Sequence, residues 1–155
     1  MTGKKREMRK LTPAEEFCFY QEIYGEKNYE KILGMLKESF NVLQVRSQVL
    51  LSLITICLTI TGFSGHRIAS SGLLPRIFVS GGVISVLISA LILICGPLQV
   101  RWITQFKAEN LEETLLELIS RRNLRTRKYH WAVVALLIGL TGYVLSLAGF
   151  LLSYE

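Results

Sequence analysis

Aspartate is absent from this 155-residue chain, so all 12 acidic residues are glutamate. A Ser-His-Asp triad therefore cannot be assembled. Histidine is scarce, with only His66 and His130, and the two fall on opposite sides of a long hydrophobic run. They cannot share a metal or a proton, and each reads as a solvated or interfacial residue. The 3 cysteines, Cys18, Cys57 and Cys95, form no CxxC pair and no Cys/His metal spacing. Cys57 and Cys95 lie within apolar runs, where a thiol behaves as a small apolar group. That placement argues against a structural disulfide. No GxxxxGK[ST] loop, no GxGxxG after a strand and no HExxH is present. Glu109, Glu112, Glu113 and Glu117 crowd one segment, but a charged, solvated helix face accounts for them. The expectation is a protein without a cofactor or a metal, and not an enzyme.

Charge is also missing from three long stretches: Ser47 to His66, Ile77 to Val100, and Trp131 to Tyr154. Each is long enough to cross a ~30 Å hydrocarbon core as a helix, which takes about 20 residues. Half of the residues are hydrophobic and the mean hydropathy is +0.37. The reading is an all-α integral membrane protein with three transmembrane helices and amphipathic cytoplasmic helices. Its segments are a helical N-terminal region (1–46), a first span (47–65), an external loop (66–76), a second span (77–100), a helical cytoplasmic connection (101–130) and a third span (131–154). The basic N-terminus, Lys4 to Lys10, is not followed at once by a hydrophobic segment. The first span is thus expected to act as an uncleaved anchor.

The net charge of +6 is distributed unevenly. Lys and Arg number nine in 1–46, two in 65–76, seven in 101–130 and none after the third run. That alternation places the N-terminus and the 101–130 connection in the cytoplasm and the C-terminus outside. Trp102, Tyr129 and Trp131 suit the inner interface and Tyr154 the outer one. Arg101, Trp102, Arg121, Arg122, Arg125, Arg127, Lys128 and Trp131 are the candidate headgroup contacts, facing anionic lipid on the cytoplasmic side. No nucleic-acid partner is expected.

Outside the spans, Thr12-Pro13-Ala14-Glu15 forms a capping box with proline in the first turn. Phe17, Tyr20 and Tyr24 follow on one face, and Gly25 is a stop. Tyr29, Ile32, Leu33, Leu36, Phe40 and Leu43 form an apolar stripe that runs without proline into the first span. One long helix is expected there. Asn110-Leu111-Glu112-Glu113 resembles a second cap, with Leu111, Leu115, Leu118 and Ile119 on one face. The basic residues from Arg121 to Lys128 suit that helix's C-terminus. This helix either packs on the 29–43 stripe or lies on the lipid surface; mutual packing is the favoured arrangement.

Within the spans the informative pattern is small residues. Ala132, Ala135, Gly139, Gly142, Ser146, Gly149 and Ser153 recur at steps of three and four along the third span. The first span carries Ser52, Thr55, Thr59 and Gly62; the second carries Gly82, Ser85 and Ser89, with Gly96 beyond. Helices in lipid associate through close packing and hydrogen bonds, which small residues permit. These seams serve packing within one chain, an oligomer interface or a hydroxyl-lined path. No Asp, Glu, Lys, Arg or His lies within a span core, which counts against a proton pump or a voltage sensor. Pro97 either kinks the second helix or ends it.

The Leu36–Arg46 helix running into Leu50–Gly62, then Ile77–Arg101, and the return through Asn110–Lys128 is similar in layout to small bacterial transmembrane effector proteins of the SLATT and Pycsar-effector kind. The third span departs from that two-span pattern. The resemblance implies a bacterial inner-membrane protein in which a signal received in the cytoplasm leads to membrane damage. Two functions stand: a self-associating membrane interaction or effector protein, as a homo-oligomer or with a membrane partner, and a small channel or transporter subunit.

Overall fold

A computed structural model describes residues 11–25, 28–70, 72–98 and 110–152. The described residues form four helices and no strand: α1 (Pro13–Tyr24), α2 (Tyr29–Ala69), α3 (Leu73–Ile94) and α4 (Leu111–Leu152). Three of them, α2, α3 and α4, are long and apolar enough to cross a membrane. The chain divides into two compact units, one of residues 1–39 with 102–122 and the other of 40–101 with 123–155.

In the first unit, α1 opens with the capping box. The Glu15 N–H donates to Thr12 Oγ1 (3.3 Å), and the Thr12 N–H donates to Glu15 Oε2 (2.8 Å). Two N–H groups at a helix start, where no carbonyl precedes them, are thereby satisfied. The helix stops at Gly25, whose φ of +90° disfavours a side chain. Phe17 and Tyr20 from α1, Ile32 and Leu36 from α2, and Leu115, Leu118 and Ile119 from α4 are the buried apolar residues of this unit. Each full burial of such an aliphatic chain is worth about 1.5–3 kcal/mol in water. Leu33, part of the 29–43 stripe, is exposed instead. The contact line on α2 is narrower than the stripe.

The second unit contains the three charge-free stretches. Its core centres on Ile54 of α2, Val86 and Leu93 of α3, and Ala132 and Leu136 of α4. Helix bounds differ from the hydrophobic runs. Helix α2 continues to Ala69 and α3 begins at Leu73, so the link is far shorter than 66–76. Pro75 sits in the first turn of α3, where no intrahelical N–H is required. Helix α3 ends at Ile94, and Pro97 lies in the turn after it. Proline restrains the residue before it from the helical region, so Pro97 accompanies termination and kinks nothing.

One expectation is corrected here. No helix ends near Lys128, because α4 runs unbroken from Leu111 to Leu152. Neither glycine nor proline occurs between Leu111 and Ile138, and nothing local stops the helix. Arg121 to Lys128 therefore sit in mid-helix, and the macrodipole of their own helix does not account for them.

Candidate functional site: a glycine and serine contact between apolar helices

Helices α3 and α4 of the second unit meet through residues with little or no side chain. A Cβ placed on Gly139 would stand 2.6 Å from Val86 Cγ2 and 2.9 Å from the Gly82 carbonyl oxygen. One on Gly82 would stand 2.9 Å from the Gly139 carbonyl, and one on Gly142 3.3 Å from that of Phe78. Backbone meets backbone here, which only glycine allows.

Serines flank the glycines and bond across the pair. Ser89 Oγ donates to the Ala132 carbonyl (2.7 Å), Ser85 Oγ to that of Ala135 (2.7 Å), and Ser146 Oγ, from the other side, to that of Pro75 (2.8 Å). Read from Ser89–Ala132 through Gly82–Gly139 to Pro75–Ser146, the pairs keep antiparallel register. Gly149 extends the line, 3.6 Å from Pro75 Cγ by its would-be Cβ. The second-span and third-span seams thus face each other. Ser153 lies outside the described residues.

At the other end of α3, Lys128 of α4 reaches the Cys95 carbonyl (3.3 Å). Cys95 is the C-cap of α3, so the ammonium meets the negative end of that helix. Gly96 makes room for the stem: a Cβ there would approach Lys128 Cδ to 2.8 Å.

Helix α2 turns a different face inward from the one its small residues mark. Ser52, Thr55, Thr59 and Gly62 are all exposed. The three hydroxyls donate to their own helix, at the carbonyls of Gln48 (3.1 Å), Leu51 (3.0 Å) and Thr55 (2.9 Å). Nothing lies within 4 Å of a Cβ built on Gly62. Ser47, Ile54, Gly65 and Ile68 form the buried line instead. Ser64 of α2 and Tyr143 of α4 share a hydrogen bond of 2.9 Å. Small size alone does not say which face meets a neighbour, and a hydroxyl satisfied within its own helix needs none.

No family model, no curated protein and no solved structure matches this chain.

Three arginines of α4, besides Lys128, are engaged by protein groups. Arg122 Nη2 donates to both carboxylate oxygens of Glu16 (2.6 and 2.8 Å), and Nη1 to Tyr20 Oη (3.4 Å). Tyr20 Oη in turn donates to Glu16 Oε1 (2.7 Å). The side chains of Arg122 and Glu16 are only 18% and 13% exposed. Burial raises the Tyr20 phenol above its usual pKa, and the Glu16 carboxylate adds to this against the opposing Arg122 charge. For Arg122 burial alone acts downward, but the bonds to Glu16 and Tyr20 outweigh it and the pKa is raised. Arg122, one of the candidate headgroup residues, is thus held by two groups of α1. Glu16 and Arg122 lie over a hundred positions apart, and no local pattern joins them.

Arg121 pairs with Glu117 one turn earlier, and the Arg125 guanidinium lies 5.3 Å from the Phe40 ring centre. Arg127 is exposed, as is Trp131 at 64%. Arg101 and Trp102 lie outside the described residues. Among the described residues, no three His, Cys or acidic groups converge as metal ligands, and the cysteines are free.

Proposed function

We propose that the chain is an integral membrane protein, crossing the bilayer with α2, α3 and α4 and acting as a non-enzymatic interaction or effector protein. Length and apolar composition support the three crossings, and the alternation of Lys and Arg supports a cytoplasmic N-terminus and an external C-terminus. The inner membrane of a bacterium is the proposed location, in keeping with the effector resemblance. The first unit then lies in the cytoplasm, where its helices receive a partner or signal, and Arg127 with Trp131 meets the headgroups.

One observation carries the proposal of self-association. Two small-residue seams face each other within the chain, while Ser52, Thr55, Thr59 and Gly62 on α2 face outward with no protein partner above Gly62. An outward seam of this kind admits a second helix at short range. Replacing both Thr55 and Thr59 by leucine is expected to lower the assembled mass, read by light scattering in mild detergent. An unchanged assembly with an intact fold would rule out this face as the contact.

The alternative is a channel subunit, favoured by the same three hydroxyls. Gathered around an axis, they would line a polar path without any ionisable group. Ion flux in liposomes separates the two readings. Flux that is blocked by leucine at Thr55 and Thr59 favours the channel, and tight vesicles favour the interaction protein.

A further inference from the structure

We propose that the groove between α2 and α3 holds one acyl chain of an anionic phospholipid, with the phosphate at Arg76. This rests on the reading of both helices as membrane-spanning. The groove measures about 310 Å³ and is walled by Leu58, Gly62, Gly65 and Ala69 of α2 and by Val79 and Val83 of α3. Its size falls in the range of small-molecule sites. It exists because Gly62 and Gly65 bring no side chain.

The lining suits hydrocarbon. Thr61, which also borders the groove, donates its hydroxyl to the Cys57 carbonyl (2.7 Å) and sets its methyl 3.5 Å from the Cβ position of Gly65. No unmet polar group is left along the α2 wall below His66. Below His66 the α2 wall, Leu58 to Gly65, spans roughly 11 Å at about 1.5 Å per residue, which fits within one leaflet of a ~30 Å hydrocarbon core.

Charge marks the mouth. Arg76 lies one turn before Val79 and two before Val83, on the same face of α3. His66 borders the groove on α2, and both side chains are exposed. No acidic residue occurs from Ser39 to Ala108 or from Leu118 to Tyr154, so no carboxylate of these stretches opposes an anion there. An apolar slot within one leaflet, with the Arg76 cation on the same face of α3 beyond it, has the polarity of a phospholipid with a negative headgroup.

The test is native mass spectrometry of the full chain purified in mild detergent, with phosphatidylglycerol and phosphatidylcholine of identical acyl chains. One phosphatidylglycerol per chain is expected to be retained in preference to phosphatidylcholine. Arg76→Gln should lower that retention about fivefold, the worth of one basic side chain beside anionic lipid. Gly62→Leu should remove it, because the new side chain starts from a Cβ position with nothing within 4 Å and extends into the groove; unchanged helix content by circular dichroism shows that the fold is intact. Equal retention of both lipids, indifferent to Arg76→Gln, overturns the proposal. So does a Gly62→Leu variant that changes the assembled mass while keeping its phosphatidylglycerol, since the groove then seats a second copy. Extraction of the chain from membranes by alkaline carbonate would overturn the spanning reading itself. A chain that resists carbonate but shows no lipid preference overturns the groove alone.

Discussion

A methyl group at Gly139 and one at Gly62 differ only in what they meet. At Gly139 the new carbon would lie 2.6 Å from Val86 Cγ2 and 2.9 Å from a carbonyl of the facing helix. The valine can rotate, but the carbonyl belongs to a rigid helix, and the two helices must separate. We expect Gly139→Ala to destabilise by about 1–3 kcal/mol, the usual cost of overpacking. At Gly62 the same change meets open space, and alanine's better helix propensity favours it by up to about 1 kcal/mol. Thermal unfolding in detergent should order the variants with Gly62→Ala at or above the parent and Gly139→Ala below it. The reverse order would show that α3 and α4 do not approach through these glycines. The Glu16–Arg122–Tyr20 group gives a second contrast. Arg122→Ala leaves a half-buried carboxylate with only a phenol for company, and Glu16→Gln leaves the guanidinium with a neutral partner. Each should cost about 1–3 kcal/mol, with strong coupling in a double-mutant cycle. The raised Tyr20 pKa sets a direction with pH: its contribution is fully present below the unfolded value of about 10 and is lost as pH rises through the higher folded value. A Tyr20→Phe variant should lose that alkaline slope in a stability titration.

Along one element, α3, hydrogen bonding and packing can be weighed against each other. Ser85 and Ser89 each donate one bond to α4, and Ser146 returns one to α3. Such bonds between membrane helices average about 0.6 kcal/mol, because the separated helices satisfy their hydroxyls locally. The triple change Ser85→Ala, Ser89→Ala and Ser146→Ala is therefore expected to cost roughly 2 kcal/mol in all, with the pair still docked. Gly142→Leu, which drives four carbons toward a carbonyl 3.3 Å from its Cβ position, should undo the docking. Crosslinking between cysteines introduced on the two helices would report it. If the serine variant separates the helices and the leucine variant does not, hydrogen bonds rather than close packing hold the contact. The residues of this contact recur in the sequence as glycine and serine at steps of three and four, but the same pattern on α2 faces outward, so the pattern marks candidates and the fold decides between them. The inward face of α2 does not stand out. Ile54 and Ile68 point in, while Ile56 and Ile60, equally apolar, point out. The α1–α4 ion pair is equally hidden, since Glu16 and Arg122 are joined only by the fold.

For the molecule as a whole, the alternation of basic residues and the course of the helices bear on one question, the direction of crossing. The link between α2 and α3 is short, and Ser70 in it is exposed. Under the proposed topology it faces outside, together with His66, Arg67 and Arg76. The argument for that side is numerical: two basic residues here against seven in 101–130 and nine before the first span. Reversing the direction would carry sixteen cations across the membrane in place of two, against the usual bias. With Cys18, Cys57 and Cys95 replaced by alanine, Ser70→Cys should react with a membrane-impermeant maleimide in intact cells. A cysteine at Arg127, exposed on the opposite side under this topology, should react only after lysis. Labelling of the Arg127 position alone in intact cells would invert the protein. Labelling of both positions would mean that at least one of the three helices does not cross.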